Sequence, residues 1–253
     1  MKGVILAGGL GKRLYPLTRA TNKHLLPVYD RCMIQYPIGA LLRAGVRDLM
    51  IVTGGPHAGH FLPVLGDGKK LGIPHLEYAY QEGEGGIADA LSLCEDFAAG
   101  GPLFVALGDN ITNADFSAEV KAFRGGAHIF LARVKNPQAY GVVEFDPRRP
   151  RRILAIHEKP RRPPSNYVVT GFYIYDAAVF NFVRRLKPSA RGELEITDVN
   201  NFYLKEGRLA SSKIKGFWCD AGENHDFLLH AGQTIAKLRK SAKPACPERS
   251  RGA

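Results

Sequence analysis

The chain has 253 residues, 45% of them hydrophobic and 23% charged, with a formal net charge of +11. That length can bury one substantial core, and the composition is ordinary for a globular protein in water. No apolar run approaches the roughly 20 residues of a membrane-crossing helix and the N-terminus lacks a signal-peptide pattern, so the expected location is the cytoplasm, away from membranes.

Residues 3–7 read as a buried-type strand that empties into Gly8-Gly9-Leu10-Gly11-Lys12-Arg13. Apolar residues at helical spacing (Ile34, Ile38, Leu41, Leu42) predict a helix over 33–43, stopped at Ala44-Gly45. Strands follow over 49–53, 76–80, 103–107 and 128–134, with helices predicted over 87–94 and 117–123. This β-α-β-α rhythm predicts an α/β fold with an open, largely parallel sheet covered on both faces. The rhythm changes near Lys135: 141–145 and 153–157 read as a hairpin-type pair, a small added β region. A long strand over 168–175, helices over 178–186 and 198–206, a strand over 209–214 and a helix over 223–240 complete the pattern. Residues 241–253 are polar, basic and interrupted by prolines, and read as a frayed tail.

In parallel α/β sheets ligands bind beyond the carboxyl ends of strands, where the chemically loaded segments of this chain fall. The glycines of Gly8–Arg13 let backbone N–H groups approach an anion, and Lys12 and Arg13 add charge. The loop lacks the G-K-[ST] of a Walker A motif and the third glycine of a dinucleotide fingerprint, so alone it also fits an ordinary β-α turn. Asp109, in Gly108-Asp109-Asn110, and Asp220, before Ala221-Gly222, each end an apolar segment. Two such carboxylates can clamp one Mg²⁺, although an Asp-Asn turn or a helix cap explains Asp109 equally well. Glu158-Lys159-Pro160 and Arg191-Gly192-Glu193-Leu194-Glu195 mix cations for phosphate with acceptors for hydroxyls, and solvated loops are their plain alternative. Four scattered cysteines read as reduced thiols, and His24, His57, His60 and His75 show no metal spacing. The positive charge is concentrated in 148–162 and the tail without aromatic interleaving, so nucleic-acid binding is not expected.

Taken together, residues 6–14, Lys23-His24-Leu25-Leu26-Pro27-Val28-Tyr29-Asp30, Tyr140-Gly141-Val142-Val143-Glu144-Phe145-Asp146, Glu158-Lys159-Pro160, Ser165-Asn166-Tyr167-Val168-Val169-Thr170-Gly171 and residues 191–200 carry a resemblance over nearly the whole chain. It resembles the sugar-phosphate nucleotidylyltransferase family, and within it the bacterial glucose-1-phosphate thymidylyltransferases. The resemblance implies a Rossmann-like three-layer α/β/α fold over 1–240, with a nucleotide-binding part over about 1–134 and a sugar-phosphate part over about 135–240. It implies that dTTP and glucose 1-phosphate give dTDP-glucose and pyrophosphate, with Mg²⁺ as cofactor and a homo-oligomer, such as a dimer, as the assembly. By position, Leu6, Ala7, Gly8, Gly9, Gly11, Lys12 and Arg13 would hold the triphosphate, with Arg13 stabilising the departing pyrophosphate and Lys23 neutralising phosphate charge. Gln81 and Gly86 would recognise thymine, and Asp109 and Asp220 would bind the metal. Tyr140, Gly141, Glu158 and Val169 would meet the sugar, and Lys159 and Arg191 the sugar phosphate.

Several positions depart from the family pattern. Lys12 stands where the family has threonine, His24 where it has glutamine, and Arg31-Cys32 where it has Lys-Pro. The base-reading segment is Gln81-Glu82-Gly83-Glu84-Gly85-Gly86-Ile87-Ala88-Asp89-Ala90, with Asp89 in place of a usual glutamine. The chain also stops where longer relatives continue into a C-terminal helical segment. Alternatives are the same chemistry with UTP or another sugar 1-phosphate, or a nucleotide-sugar-binding regulator without catalysis.

Overall fold

The computed structural model describes residues 1–241. In chain order the first strands are β1 (Lys2–Ala7), β2 (Pro27–Val28), β3 (Arg31–Cys32), β4 (Asp48–Gly54), β5 (His75–Gln81), β6 (Leu103–Leu107) and β7 (Asn110–Thr112). Then come β8 (Ala127–Arg133), β9 (Gly141–Asp146), β10 (Arg149–Glu158), β11 (Tyr167–Tyr175), β12 (Leu209–Lys213) and β13 (Trp218–Asp220). The helices are α1 (Gln35–Arg43), α2 (Phe61–Leu65), α3 (Ile87–Ser92), α4 (Glu95–Ala98), α5 (Ser117–Ala122), α6 (Val179–Val183), α7 (Ile196–Lys205) and α8 (His225–Ser241).

Strands β5, β4, β1 and β6 lie side by side and parallel. Their near-continuous apolar sequences follow from burial on both faces. Alternation along each strand divides the core: Val4, Leu6, Met50, Val52 and Val105 face one layer of helices, and Ile5, Ala7, Ile51, Phe104 and Ala106 face the other. The predicted parallel sheet is therefore present at its centre. Beyond β6 the direction reverses, because β11 pairs antiparallel with β6, β8 and β9. The β9–β10 hairpin forms as predicted, with register shifts between Arg149 and Ala155.

Two predicted helices shorten. The one over 178–186 is helical only as α6, and its end tightens into three-residue turns, with Leu186 N–H donating to the Val183 carbonyl at 3.1 Å. The one over 87–94 ends at Ser92 as α3, and a separate α4 begins beyond it at Glu95. Helix α1 stops as its sequence indicates: Gly45 takes φ +93°, and Val46 N–H donates back to the Leu41 carbonyl at 3.1 Å. Of the predicted frayed tail, Ser241 closes α8, and 242–253 lie outside the described residues.

The short pieces position the site. A third cluster of Leu14, Leu26, Val28, Met33, Ile111, Cys219, Ala231 and Ile235 presses α8 and β13 onto the N-terminal segment. Pairing of β13 with β7 then sets Asp220 opposite Asn110. On one face of the sheet, fully buried Phe104 packs on Phe116 and Phe130 at ring separations of 5.4 and 6.0 Å. Phe104→Ala is expected to lower the unfolding free energy by about 3–5 kcal/mol. Urea denaturation should show this as a lower midpoint with unchanged slope.

Candidate active site

Because β1, β5 and β6 run parallel, their carboxyl ends open on one side of the sheet, into a cleft of about 590 Å³. The cleft gathers the predicted residues Leu6, Gly8, Gly9, Gly11, Lys12, Arg13, Lys23, Gln81, Gly86 and Asp109 from the first half of the chain. From the second half it gathers Tyr140, Gly141, Glu158, Lys159, Val169, Arg191 and Asp220. Ala7 is the exception among the predicted residues. It is fully buried in the core on the face of Ile5, and its carbonyl accepts from Asn22 Nδ2 at 3.4 Å.

Every cation of the cleft lies on a carboxylate. Lys12 Nζ is 2.6 Å from Glu84, and Arg13 Nη1 is 2.6 Å from Glu223. Lys159 Nζ is 3.6 Å from Glu158, while Arg191 Nη2 meets both oxygens of Glu195 at 2.8 Å. Three of these pairs are open to water, and such pairs stabilise by only about 0–1 kcal/mol, so a phosphate can displace those carboxylates readily. Glu195, by contrast, is buried and grips Arg191 with both oxygens, a firmer pair. Lys12 and Glu84 both belong to segments that depart from the family pattern, and the structure brings those departures together. Lys159 adopts φ +41° directly before Pro160, a backbone conformation costing on the order of 1–3 kcal/mol that recurs at functional sites.

The fifth pair lies deeper. Lys23 Nζ is 2.5 Å from Asp109 Oδ2, and Asp220 sits alongside. Burial works against the Lys23 ammonium, but Asp109 and Asp220 outweigh it and raise its pKa. Burial would likewise raise Asp109, yet Lys23 holds its carboxyl below the usual carboxylate range. Asp220 has no such partner. Burial first, and repulsion from Asp109 second, push it up to about 7. Gly222 keeps the two acids close, since a Cβ there would stand 2.5 Å from Asp109 Oδ2. Buried His24 is pushed down to about 3 by burial and by Lys23, so it is neutral, with Nδ1–H donating to Asn22 Oδ1 at 2.7 Å.

Sequence reasoning missed the residue that braces this centre. Asn110 Nδ2 donates to Asp109 Oδ1 at 3.0 Å. Its own Oδ1 accepts from Gly171 N–H and Trp218 Nε1, both at 2.8 Å. One side chain thus joins the turn after β6 to β11 and β13, and its position after Asp109 was the only signal. Thr197 Oγ1 was also missed; it donates to Glu158 Oε2 at 2.5 Å.

Among the described residues no group of three or more His, Cys, Asp or Glu is arranged to hold a metal ion. The Asp109–Asp220 pair nevertheless suits a hard divalent cation that takes one or two carboxylates and completes its shell with phosphate and water. The raised Asp220 is the sign of missing positive charge.

A family model for the nucleotidyl transferases matches residues 2–237. The chain belongs to that family. It is 48% identical over 227 residues to the glucose-1-phosphate thymidylyltransferase of an Actinoplanes species, covering 88% of this chain and 74% of that one. The Neisseria meningitidis glucose-1-phosphate thymidylyltransferase is 44% identical over 245 residues, 94% of this chain and 84% of that one. A Bacillus anthracis structure, provisionally described as a glucose-1-phosphate thymidylyltransferase in complex with a sucrose, matches with a TM-score of 0.87 at 46% identity. That match covers 92% of this chain and 94% of the other. A UDP-glucose pyrophosphorylase complexed with UDP-glucose shares the fold, with a TM-score of 0.82 at 23% identity over 94% and 99% of the two chains.

The nucleotidyl transferase centre makes a testable statement about stability. The folded-state pKa of Asp220 is raised, so ionising its buried carboxyl costs folding free energy, a cost that grows as pH climbs from the ordinary 3.8 to about 7. In metal-free protein, Asp220→Asn should therefore melt a few °C above wild type near pH ~8, with the difference gone near pH ~4. Calorimetric melting across that range checks it.

Proposed function

We propose that this nucleotidyl transferase joins dTTP to glucose 1-phosphate, releasing pyrophosphate and making dTDP-glucose, with Mg²⁺ as its metal. The observation that carries the reading is the set of cations that shares a cleft with the Asp109–Asp220 pair. Lys12 and Arg13 come from the glycine loop, Lys159 and Arg191 from the end of β10 and the segment before α7, and Lys23 pairs with Asp109, all lining one cleft. That arrangement suits two phosphate-bearing substrates meeting at one centre. The names of the relatives at 48% and 44% identity support the choice of base and sugar.

An oxygen of the sugar phosphate attacks the α-phosphorus of the triphosphate in line, and pyrophosphate leaves from the opposite side. The attacking oxygen is already ionised, so no general base is required, and bringing two anions together is the main obstacle. The backbone of Gly8, Gly9 and Gly11 cradles the triphosphate, and Arg13 is released from Glu223 to follow the departing charge. Lys23 is held charged beside Asp109 and meets the phosphate at the reacting centre. Lys159 and Arg191 grip the sugar phosphate, while Glu158, oriented by Thr197, accepts from sugar hydroxyls beside Tyr140, Gly141 and Val169. Gln81 and Gly86 face the base. Asp109 and Asp220 would hold Mg²⁺, which would supply neutralising charge to the phosphates.

On this reading the nucleotide part is 1–134 and the sugar-phosphate part 135–240, and the reaction belongs in the cytoplasm, where nucleoside triphosphates are made. Among the described residues no helix is long and apolar enough to cross a membrane.

Pyrophosphate release should require Mg²⁺, glucose 1-phosphate and dTTP together. Release with UTP but not dTTP would overturn the base, and release with no triphosphate would overturn the activity. Asp109→Asn and Asp220→Asn should each lower kcat/KM by about 100-fold, as expected for losing several kcal/mol of charge stabilisation. Arg191→Ala should raise KM for glucose 1-phosphate about tenfold with little change in KM for dTTP, since it removes a charge-assisted contact on one substrate only.

A further inference from the structure

Arg148, Arg149, Arg151 and Arg152 take no part in the proposed reaction, and the fold gives two of them a place of their own. A groove of about 970 Å³ lies between β10, α7 and the start of β12, separate from the catalytic cleft. Arg151 and Arg152 line it from β10, Arg185 and Lys187 from the turn after α6, and Lys205 from the last turn of α7. Against these cations the groove holds a single carboxylate, Asp198. The catalytic cleft differs, because each of its cations lies on a carboxylate. Among the described residues Arg151, Arg185, Lys187 and Lys205 form no ion pair, and Arg152 reaches Asp146 only at 4.0 Å. Like charges gathered in this way repel one another, and an anion that enters relieves the repulsion.

The walls of the groove are fixed. Asn201 pins α7 to β10: its Oδ1 accepts from Ile156 N–H at 3.1 Å, and its Nδ2 donates to the Ile156 carbonyl at 2.8 Å. Phe202 stacks on Phe182 at 5.5 Å, with Arg185 at 5.0 Å and Lys205 at 6.0 Å from its ring. Those contacts place two of the cations before any ligand arrives. They also occupy the groove's one phenyl ring, which leaves no platform on which a nucleobase could stack. What the groove offers is guanidinium and ammonium groups for phosphate oxygens.

We propose that this groove is a second binding site, for a small molecule that carries two or more phosphate groups. It draws on the same two elements that enter the cleft, β10 through Glu158 and α7 through Thr197, but through different residues of each. The site stands apart from the reading of the cleft, and its test needs no turnover.

Inorganic tripolyphosphate is the probe, titrated calorimetrically into the metal-free full chain at an ionic strength of about 0.15 M, where long-range attraction is largely screened. Wild type is compared with Arg151→Ala/Arg185→Ala/Lys205→Ala. A second variant, Lys70→Ala/Lys121→Ala/Lys215→Ala, removes the same charge from exposed positions elsewhere. The groove variant should bind the probe at this site about tenfold more weakly, while the second variant stays within about threefold of wild type. Arg151→Ala and Arg185→Ala alone should each weaken binding about threefold, a result that does not depend on the triple variant folding. Arg13→Ala alters the cleft and should leave this site intact. No binding to wild type, undiminished binding in the groove variants, or equal weakening in the second variant would overturn the proposal. So would a site lost with Arg13→Ala instead. Binding of single-stranded oligothymidine through these cations, with none of tripolyphosphate, would overturn the ligand class and the proposal with it.

Discussion

Three charges at the carboxyl end of β6 govern the molecule: one lysine shared by two carboxylates. Lys23 satisfies Asp109 at 2.5 Å, while burial and repulsion from Asp109 raise the pKa of Asp220, so an ionised Asp220 has no charge of its own to balance it. A hydrophobic pair of similar size would be cheaper to bury, and a complete ion pair would need nothing further. The centre is instead one positive charge short, which makes it a place where added positive charge is stabilising. Much of the surrounding architecture keeps that shortage in place. The third core cluster pins β13 against β7, Gly222 allows close approach, and Asn110 ties Asp109 to β11 and to Trp218.

Around that centre the cleft is lined by weaker electrostatics. The outer cations rest on Glu84, Glu223, Glu158 and Glu195 at 2.6–3.6 Å, the first three pairs largely open to water and the last set on the buried Glu195. The open pairs hold each side chain in position at small cost to its later exchange onto phosphate. Lys12 illustrates this. In the sequence it is an added charge where the family has a hydroxyl; in the structure its partner is Glu84, itself part of the altered base-reading segment. The change is a local exchange of contacts across the mouth of the cleft.

The parallel centre of the sheet was legible because strands buried on both faces must be apolar throughout, as 3–7 and 103–107 are. The reversal at β11 was not, since an apolar strand such as 167–175 carries no mark of its direction. Two-residue β2 and β3, and the β7–β13 pair, fall below any periodic signal, yet they place Asp220. Most site residues were readable from glycines and charges at strand ends together with the family resemblance. Ala7 ends β1 with its side chain in the core, a facing that the short apolar run 3–7 did not reveal. Asn110 and Thr197 were passed over because their importance lies in partners 61 and 39 residues away.

The loop between β5 and α3 is fastened to the segment before α7 by main-chain bonds. Leu194 N–H donates to the Gly85 carbonyl at 2.8 Å, and Ala88 N–H donates to the Leu194 carbonyl at 3.2 Å. The segment that carries Arg191 and Glu195 is thereby stitched to the segment that carries Gln81 and Asp89. Backbone stitches survive any exchange of the Leu194 side chain short of proline. A shift of either wall is consequently transmitted to the other, so the two walls of the cleft are mechanically geared: a backbone change that widens one also displaces its neighbour.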